Sequence, residues 1–172
     1  IRVVKSANKV IEQVDFEDVK IKQIKEKNNK LTPSKKDFEK INKLKKSIGD
    51  EAEELVYKLE KERLESEGEF DLKPIHEAKK NGDGEGFDIK SFIKINGEYE
   101  PIYIEVKATD KAINEPFDIT ANEVEASRKY KEKYYIYRIG KIHSDFPQMY
   151  RISGSIDENF NLTPTSYKAQ KK

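Results

Sequence analysis

Asp88, together with Glu105 and Lys107 flanking Val106, forms a set of residue types suited to metal-assisted phosphodiester hydrolysis. The carboxylates of Asp88 and Glu105, helped by the main-chain carbonyl of Val106, can hold one or two divalent cations. Oxygen donors of this kind favour Mg2+ or Mn2+. A cation held there lowers the pKa of a bound water and neutralises charge building on a scissile phosphate. An ammonium beside it, here Lys107, can orient or help deprotonate the attacking water and offset the developing charge. The chain contains no cysteine and only two histidines, His76 and His143. Disulfides and cysteine-ligated zinc are therefore excluded, and any metal site has to be built from carboxylates.

Such residues act only if the backbone brings them together. Phe87 to Ile93 reads as a strand, Asn96-Gly97 as a tight hairpin turn, and Glu100 to Ala108 as the partner strand. Period-two alternation directs Val106 into the core and puts Glu105 and Lys107 on one face. Asp88, between Phe87 and Ile89, is expected to leave the face those two bury. Glu-x-Lys alone carries little weight in a chain with 39% charged residues, where it can equally be an ion pair on an exposed sheet. The surrounding elements decide its meaning.

Asp50 to about Glu67 has a helical stripe of Ala52, Leu55, Val56, Leu59 and Leu64, ended by Gly68. Glu53 and Glu60 border that stripe, either as flanking charges or pointing along the helix into a neighbouring site. Pro74 to Ala78 reads as a short strand, with His76 packed or solvent-facing rather than catalytic, and residues 81–86 as a glycine-rich turn. The turn lacks the Gly-Lys-Ser/Thr ending of a phosphate-binding loop. Lys79 and Lys80 beside it, and Lys111 beyond the Glu-x-Lys strand, are candidate phosphate contacts. Thr120 and Glu123 form a capping box that opens a helix to about Lys131. Tyr134 to Ile139 and Met149 to Ile152 are two further strands. The fold expected is α/β (α+β), a mixed central sheet flanked by helices in the order helix-strand-strand-strand-helix-strand.

With 172 residues and 35% hydrophobic content, the chain has material for one core. Its charge is uneven: residues 1–48 carry 14 Lys/Arg against 7 Asp/Glu, and residues 49–118 carry 10 against 20. That pattern suits a protein that holds a polyanion at its edges or gathers carboxylates around cations at its centre. Residues 1–48 are expected to be a basic, mostly helical extension or linker. Ser34 and Asp37 give it a capping signal, and Phe38, Ile41 and Leu44 share one face of a helix ending near Gly49. Residues 49–155 make the domain and 156–172 a basic tail. No apolar stretch is long enough to cross a bilayer and no signal peptide is visible, so a cytoplasmic setting is expected. Opening on Ile1, the chain is expected to be a piece of something longer.

The order of elements matches the common core of PD-(D/E)XK nucleases. A closer resemblance lies in the run from Gly49 to Val56 with Glu60, then Gly82 to Ser91, Ile104 to Thr109, Phe117 to Glu123, and Tyr134 to Arg138. Together these segments resemble the domain named after the C-terminal part of the plant protein NO VEIN, over roughly Gly49 to Arg151. That domain occurs in bacteria and archaea, often joined to helicase or restriction-type modules. The resemblance implies a restriction-endonuclease-like core and an Mg2+- or Mn2+-dependent DNA endonuclease in a restriction or anti-phage defence system. A helicase or ATPase partner and a homodimer fit that implication. The alternative is a catalytically inactive module that binds nucleic acid or a partner protein. Residue by residue, the resemblance puts metal ligation on Asp88 and Glu105 and water positioning on Lys107. It makes Glu53 a further candidate carboxylate and places Asn122 and Glu123 in a motif, with Asn122 a candidate nucleic-acid contact.

Overall fold

The computed structural model describes residues 2–6, 9–22, 35–77 and 83–165. Its centre is set by Asn96 and Gly97, whose φ angles of 52° and 92° provide the left-handed conformation that a two-residue hairpin turn needs. The turn joins β4 (Ile89–Ile95) to β5 (Glu98–Ala108), which pair antiparallel from Ile95↔Glu98 to Ile89↔Ile104. Strand β3 (Ile75–His76) lies antiparallel on the far edge of β4. On the other edge of β5 runs β6 (Tyr134–Gly140), parallel to it from Tyr103↔Tyr134 to Ala108↔Ile139. A parallel neighbour requires a crossover, and helix α2 (Ala121–Tyr130) provides it.

Strand β7 (Gln148–Ser153) returns antiparallel to β6. A hairpin of β1 (Arg2–Ser6) and β2 (Lys9–Gln13) completes the sheet, with β2 parallel to β7 through Glu12↔Gln148 and Gln13↔Met149. Among the described residues the sheet is seven-stranded and mixed, in the order β1-β2-β7-β6-β5-β4-β3. The fold is thus a mixed α+β arrangement with helices on both faces of the sheet.

Two expectations about the first 48 residues are corrected. Residues 2–6 and 9–13 are paired antiparallel strands rather than helix. The β-branched Val3, Val4, Val10 and Ile11 lose χ1 freedom in a helix and suit a strand, and Ile11 is fully buried in the core. The helix expected to end near Gly49 instead continues, so that α1 is one element, Lys35–Ser66. An interior glycine costs about 1 kcal/mol relative to alanine, and the burial of Ile48, Ala52, Val56 and Leu59 on either side outweighs it. Termination falls at Gly68, φ 85°, where Glu69 N–H reaches back to Leu64 C=O at 2.9 Å. Ser34, the expected cap, lies outside the described residues.

The sheet separates two cores. Helix α1 covers one face, packing Ala52, Val56 and Leu59 on Ile89, Ile102, Ile104, Val106 and Ile139. Helix α2 and the short α3 (Ile156–Asn159) cover the other, with Phe87, Val124, Ala126, Tyr134, Ile136 and Ile156. The tail expected from 156 onward therefore begins within the fold: Ile156 is buried and Phe160 packs edge-on against Phe16 and Phe117.

Candidate functional site

Strand β5 sorts the candidate residues by parity. Ile102, Ile104 and Val106 enter the core under α1, while Tyr103, Glu105 and Lys107 turn to the side of α2. Glu105 is 4% exposed, and the Lys107 side chain is half-buried at 16%. The Lys107 ammonium sits between two carboxylates, 2.8 Å from Glu105 Oε1 and 3.0 Å from Glu123 Oε2. Glu123 belongs to the first turn of α2. Its Oε2 also accepts the Thr120 N–H at 3.0 Å, and its own N–H donates to Thr120 Oγ1 at 3.2 Å. This is the expected capping box. The crossover that makes β6 parallel to β5 brings that box against Lys107.

Asp88 stands one residue ahead of β4, where its N–H donates to Ile104 C=O at 2.9 Å. The β4 ladder stops at Ile89↔Ile104, while β5 runs on to Ala108. Beyond that point the Asp88 carboxylate takes the place of a strand partner: its Oδ2 accepts the Val106 N–H at 2.7 Å. In an extended strand a residue's N–H and C=O leave on the same edge, so the Val106 carbonyl also leaves β5 on the Asp88 side. The route by which Asp88 arrives differs from the alternation argument. Phe87 and Ile89 do not share a face, since Phe87 packs under α2 and Ile89 under α1. The chain bends at Asp88, between them, and that bend breaks the period of two.

Burial pushes the Glu105 carboxyl well above the usual carboxylate range, and the nearby Asp88 charge pushes it further. For Lys107, burial works to lower the pKa, but the ion pairs and hydrogen bonds with Glu105 and Glu123 prevail and raise it. A lysine so held stays an ammonium, which suits orientation and charge compensation better than proton abstraction. Tyr134 donates its hydroxyl to Gly86 C=O at 2.9 Å. Burial first, and then the charges of Glu105, Glu123 and Asp88, raise its pKa and keep it neutral.

The donors on offer to a cation are Asp88, Glu105 and the Val106 carbonyl, all oxygen and few in number. That set fits a magnesium-class ion, which usually keeps several waters and takes only one or two protein carboxylates. Among the described residues no three Asp, Glu, His or Cys side chains gather as a metal-binding group. The remaining ligands would have to be water or substrate oxygens.

Other expected residues lie elsewhere. Glu53 is carried by α1, beside the buried Ala52, in the layer on the opposite face of the sheet. Asn122 is exposed, and its Nδ2 donates to Gly84 C=O at 3.0 Å, tying the glycine turn to α2. Lys111 is exposed beyond the end of β5, and its carbonyl accepts Lys141 N–H at 2.8 Å. Lys79 and Lys80 lie outside the described residues. His76 is packed, stacking on Tyr57 with ring centroids 4.5 Å apart.

Two further charges are buried: Glu60, expected on the border of the α1 stripe, and Arg138, which no motif singles out. Glu60 accepts from Ser91 Oγ at 2.7 Å, Tyr137 Oη at 2.8 Å and Arg63 Nη2 at 2.7 Å, beneath α1. Arg138 is 1% exposed on the α2 side. Its signal in the sequence is a lone charge inside the β-rich run Tyr134 to Ile139.

Among known proteins, the family model described as "Protein NO VEIN, C-terminal" matches residues 52–152. That span holds Asp88, Glu105, Lys107 and Glu123. No curated protein and no solved structure matches the chain. Among the described residues, no helix is long and apolar enough to cross a membrane.

Proposed function

The chain belongs to the family of the NO VEIN C-terminal domain, and from that premise we propose that it is a metal-dependent DNA endonuclease domain with a restriction-endonuclease-like core. One observation carries the proposal. Asp88 holds the Val106 N–H at 2.7 Å while Glu105 and Lys107 emerge on either side of Val106, 2.8 Å from each other. Two carboxylates, a strand-edge carbonyl and an ammonium thus meet at one point of the sheet.

Asp88, Glu105 and the Val106 carbonyl would hold Mg2+ or Mn2+, which supplies Lewis acidity to the attacking water and the scissile phosphate. Lys107 orients the nucleophile and offsets charge on the phosphate. The α1 and α2 layers exclude water from both sides of β5 and so strengthen these interactions. Lys111, exposed at the same end of β5, would meet the nucleic-acid backbone. The biological setting that fits is a cytoplasmic restriction or anti-phage system, with a helicase or ATPase module as partner and a homodimer to cut both strands.

The test is incubation of the protein with unmodified and cytosine-modified plasmid in Mg2+ or Mn2+, beside Asp88→Ala and Lys107→Ala. Cleavage by the parent protein and its loss in both variants is expected. An inert parent protein, or cleavage that survives both substitutions, sinks the mechanism. DNA binding without cleavage would assign the fold to a nucleic-acid-binding module instead.

A further inference from the structure

Lys107 is shared almost equally between carboxylates from two different elements, Glu105 of β5 at 2.8 Å and Glu123 of α2 at 3.0 Å. The two are not equivalent. Glu105 has Asp88 as its charged neighbour and is the carboxylate that a divalent cation would engage. Glu123 is anchored, because the same oxygen that faces Lys107 also accepts the Thr120 N–H at the start of α2. An ammonium and a cation compete for the oxygens of Glu105, since neither can approach while the other fills the same lone pairs.

We propose that Glu123 is the positioning residue for Lys107, retaining its ammonium on α2 when Glu105 turns to a divalent cation. This rests on the reading of Asp88 and Glu105 as cation ligands. Glu123 then has two tasks that share one oxygen: it caps the helix, and it keeps Lys107 beside the site without letting it block the site. Removing the Glu123 charge leaves Lys107 with Glu105 as its remaining carboxylate, and the cation must displace it.

Glu123→Gln isolates the second task, because glutamine at this position still completes a capping box. Mn2+ affinity is measured on the full chain by electron paramagnetic resonance of the free ion. The set is the parent protein, Glu123→Gln, Lys107→Met and the double variant, with melting curves to verify folding. Glu123→Gln is expected to weaken Mn2+ binding about fivefold, and by less than about twofold once Lys107 is methionine, the signature of two coupled residues. Thr120→Val, which disturbs the cap but leaves the Glu123 charge, is expected to lower Tm with Mn2+ affinity unchanged.

An equal loss with and without Lys107 would make Glu123 a direct contributor to cation binding and overturn the proposal. So would no loss in either background, or a loss in Thr120→Val matching that of Glu123→Gln. If the parent protein takes up no Mn2+, the metal-site reading itself fails and carries this inference with it. Mn2+ uptake without the coupling removes this inference alone.

Discussion

Lys107 and Arg138 are cross-strand neighbours in the parallel β5–β6 pair, two cations side by side facing the α2 layer. Their surroundings keep them apart. Lys107 meets carboxylates, whereas Arg138 donates to the main-chain carbonyls of Ile113 at 3.4 Å and Glu115 at 3.0 Å, with the Phe117 ring 5.1 Å from its guanidinium. The same segment lies flat on the end of β6: a Cβ at Gly140 would come within 2.6 Å of the Ile113 backbone. Arg138 therefore pins residues 111–118 beside the site. Arg138→Met keeps most of the apolar stem and removes the donors, and is expected to cost about 2–4 kcal/mol through the carbonyls left unpaired. Urea denaturation reads the loss, and hydrogen exchange should quicken first at 111–118. Exchange rising evenly over the sheet would contradict the assignment.

The buried cluster on the other face has a different character. Glu60 is 2% exposed and joins α1 to β4 and β6 through Ser91 and Tyr137, with Arg63 as its counter-ion. Glu60→Ala removes the acceptor of the Ser91 and Tyr137 hydroxyls and leaves Arg63 without that partner. About 3 kcal/mol of stability is expected to be lost, as when one member of a buried pair is removed. Because β5 stands between this cluster and Lys107, Mn2+ affinity should stay within about twofold of the parent value. A large fall in affinity would mean that Glu60 takes part in the site.

What could be read from the sequence follows from how local each signal is. The Asn96-Gly97 turn and the Thr120–Glu123 capping box are decided within four residues, and both stand as expected. The parity of Glu105, Val106 and Lys107 needs only an unbroken strand. Asp88 reaches the site by a different path, because the chain bends at Asp88 and resets the alternation just ahead of β4. The partner of Glu123 was hidden for another reason: its contact with Lys107 depends on the parallel β5–β6 register, which no local pattern encodes. The first strands carry no such local signal, because Val and Ile among lysines fit a weak helix as well as a strand until β7 offers an edge.

Glu105 gives the apo protein a pH dependence. Burial, and then Asp88, hold its carboxyl above the ordinary value of 4.5, so the folded state binds that proton more tightly than the unfolded state. Its contribution to stability is complete below the ordinary value and is lost as pH rises through the folded pKa. In the presence of a chelator, the Tm difference between the parent protein and Glu105→Gln should therefore turn against the parent as pH increases above 4.5. Saturating Mg2+ should reverse the trend, because the cation binds the ionised folded form. Parallel Tm curves with pH in the chelator would show that Glu105 is not perturbed.

Gly86 offers the most direct link between backbone and site. Its φ of 74° is costly for any other residue, and a Cβ there would lie 2.7 Å from both the Ala126 Cβ and the Asn122 carbonyl oxygen. Its own carbonyl accepts the Tyr134 hydroxyl, and Asp88 follows two residues later. Gly86→Ala must therefore push α2 and the turn apart, at a cost of about 2–4 kcal/mol from strain and overpacking together. The displaced turn carries Asp88 with it, so Mn2+ affinity should fall by about tenfold or more, as happens when supporting groups of a metal site are disturbed. Gly84→Ala is the internal control, because nothing lies within 4 Å of its Cβ position, and it should change stability by no more than about 0.5 kcal/mol. Denaturation midpoints and Mn2+ titrations of the two variants decide the matter. If Gly86→Ala matched Gly84→Ala in both, the close seat of the turn on α2 could not be what places Asp88 against Val106.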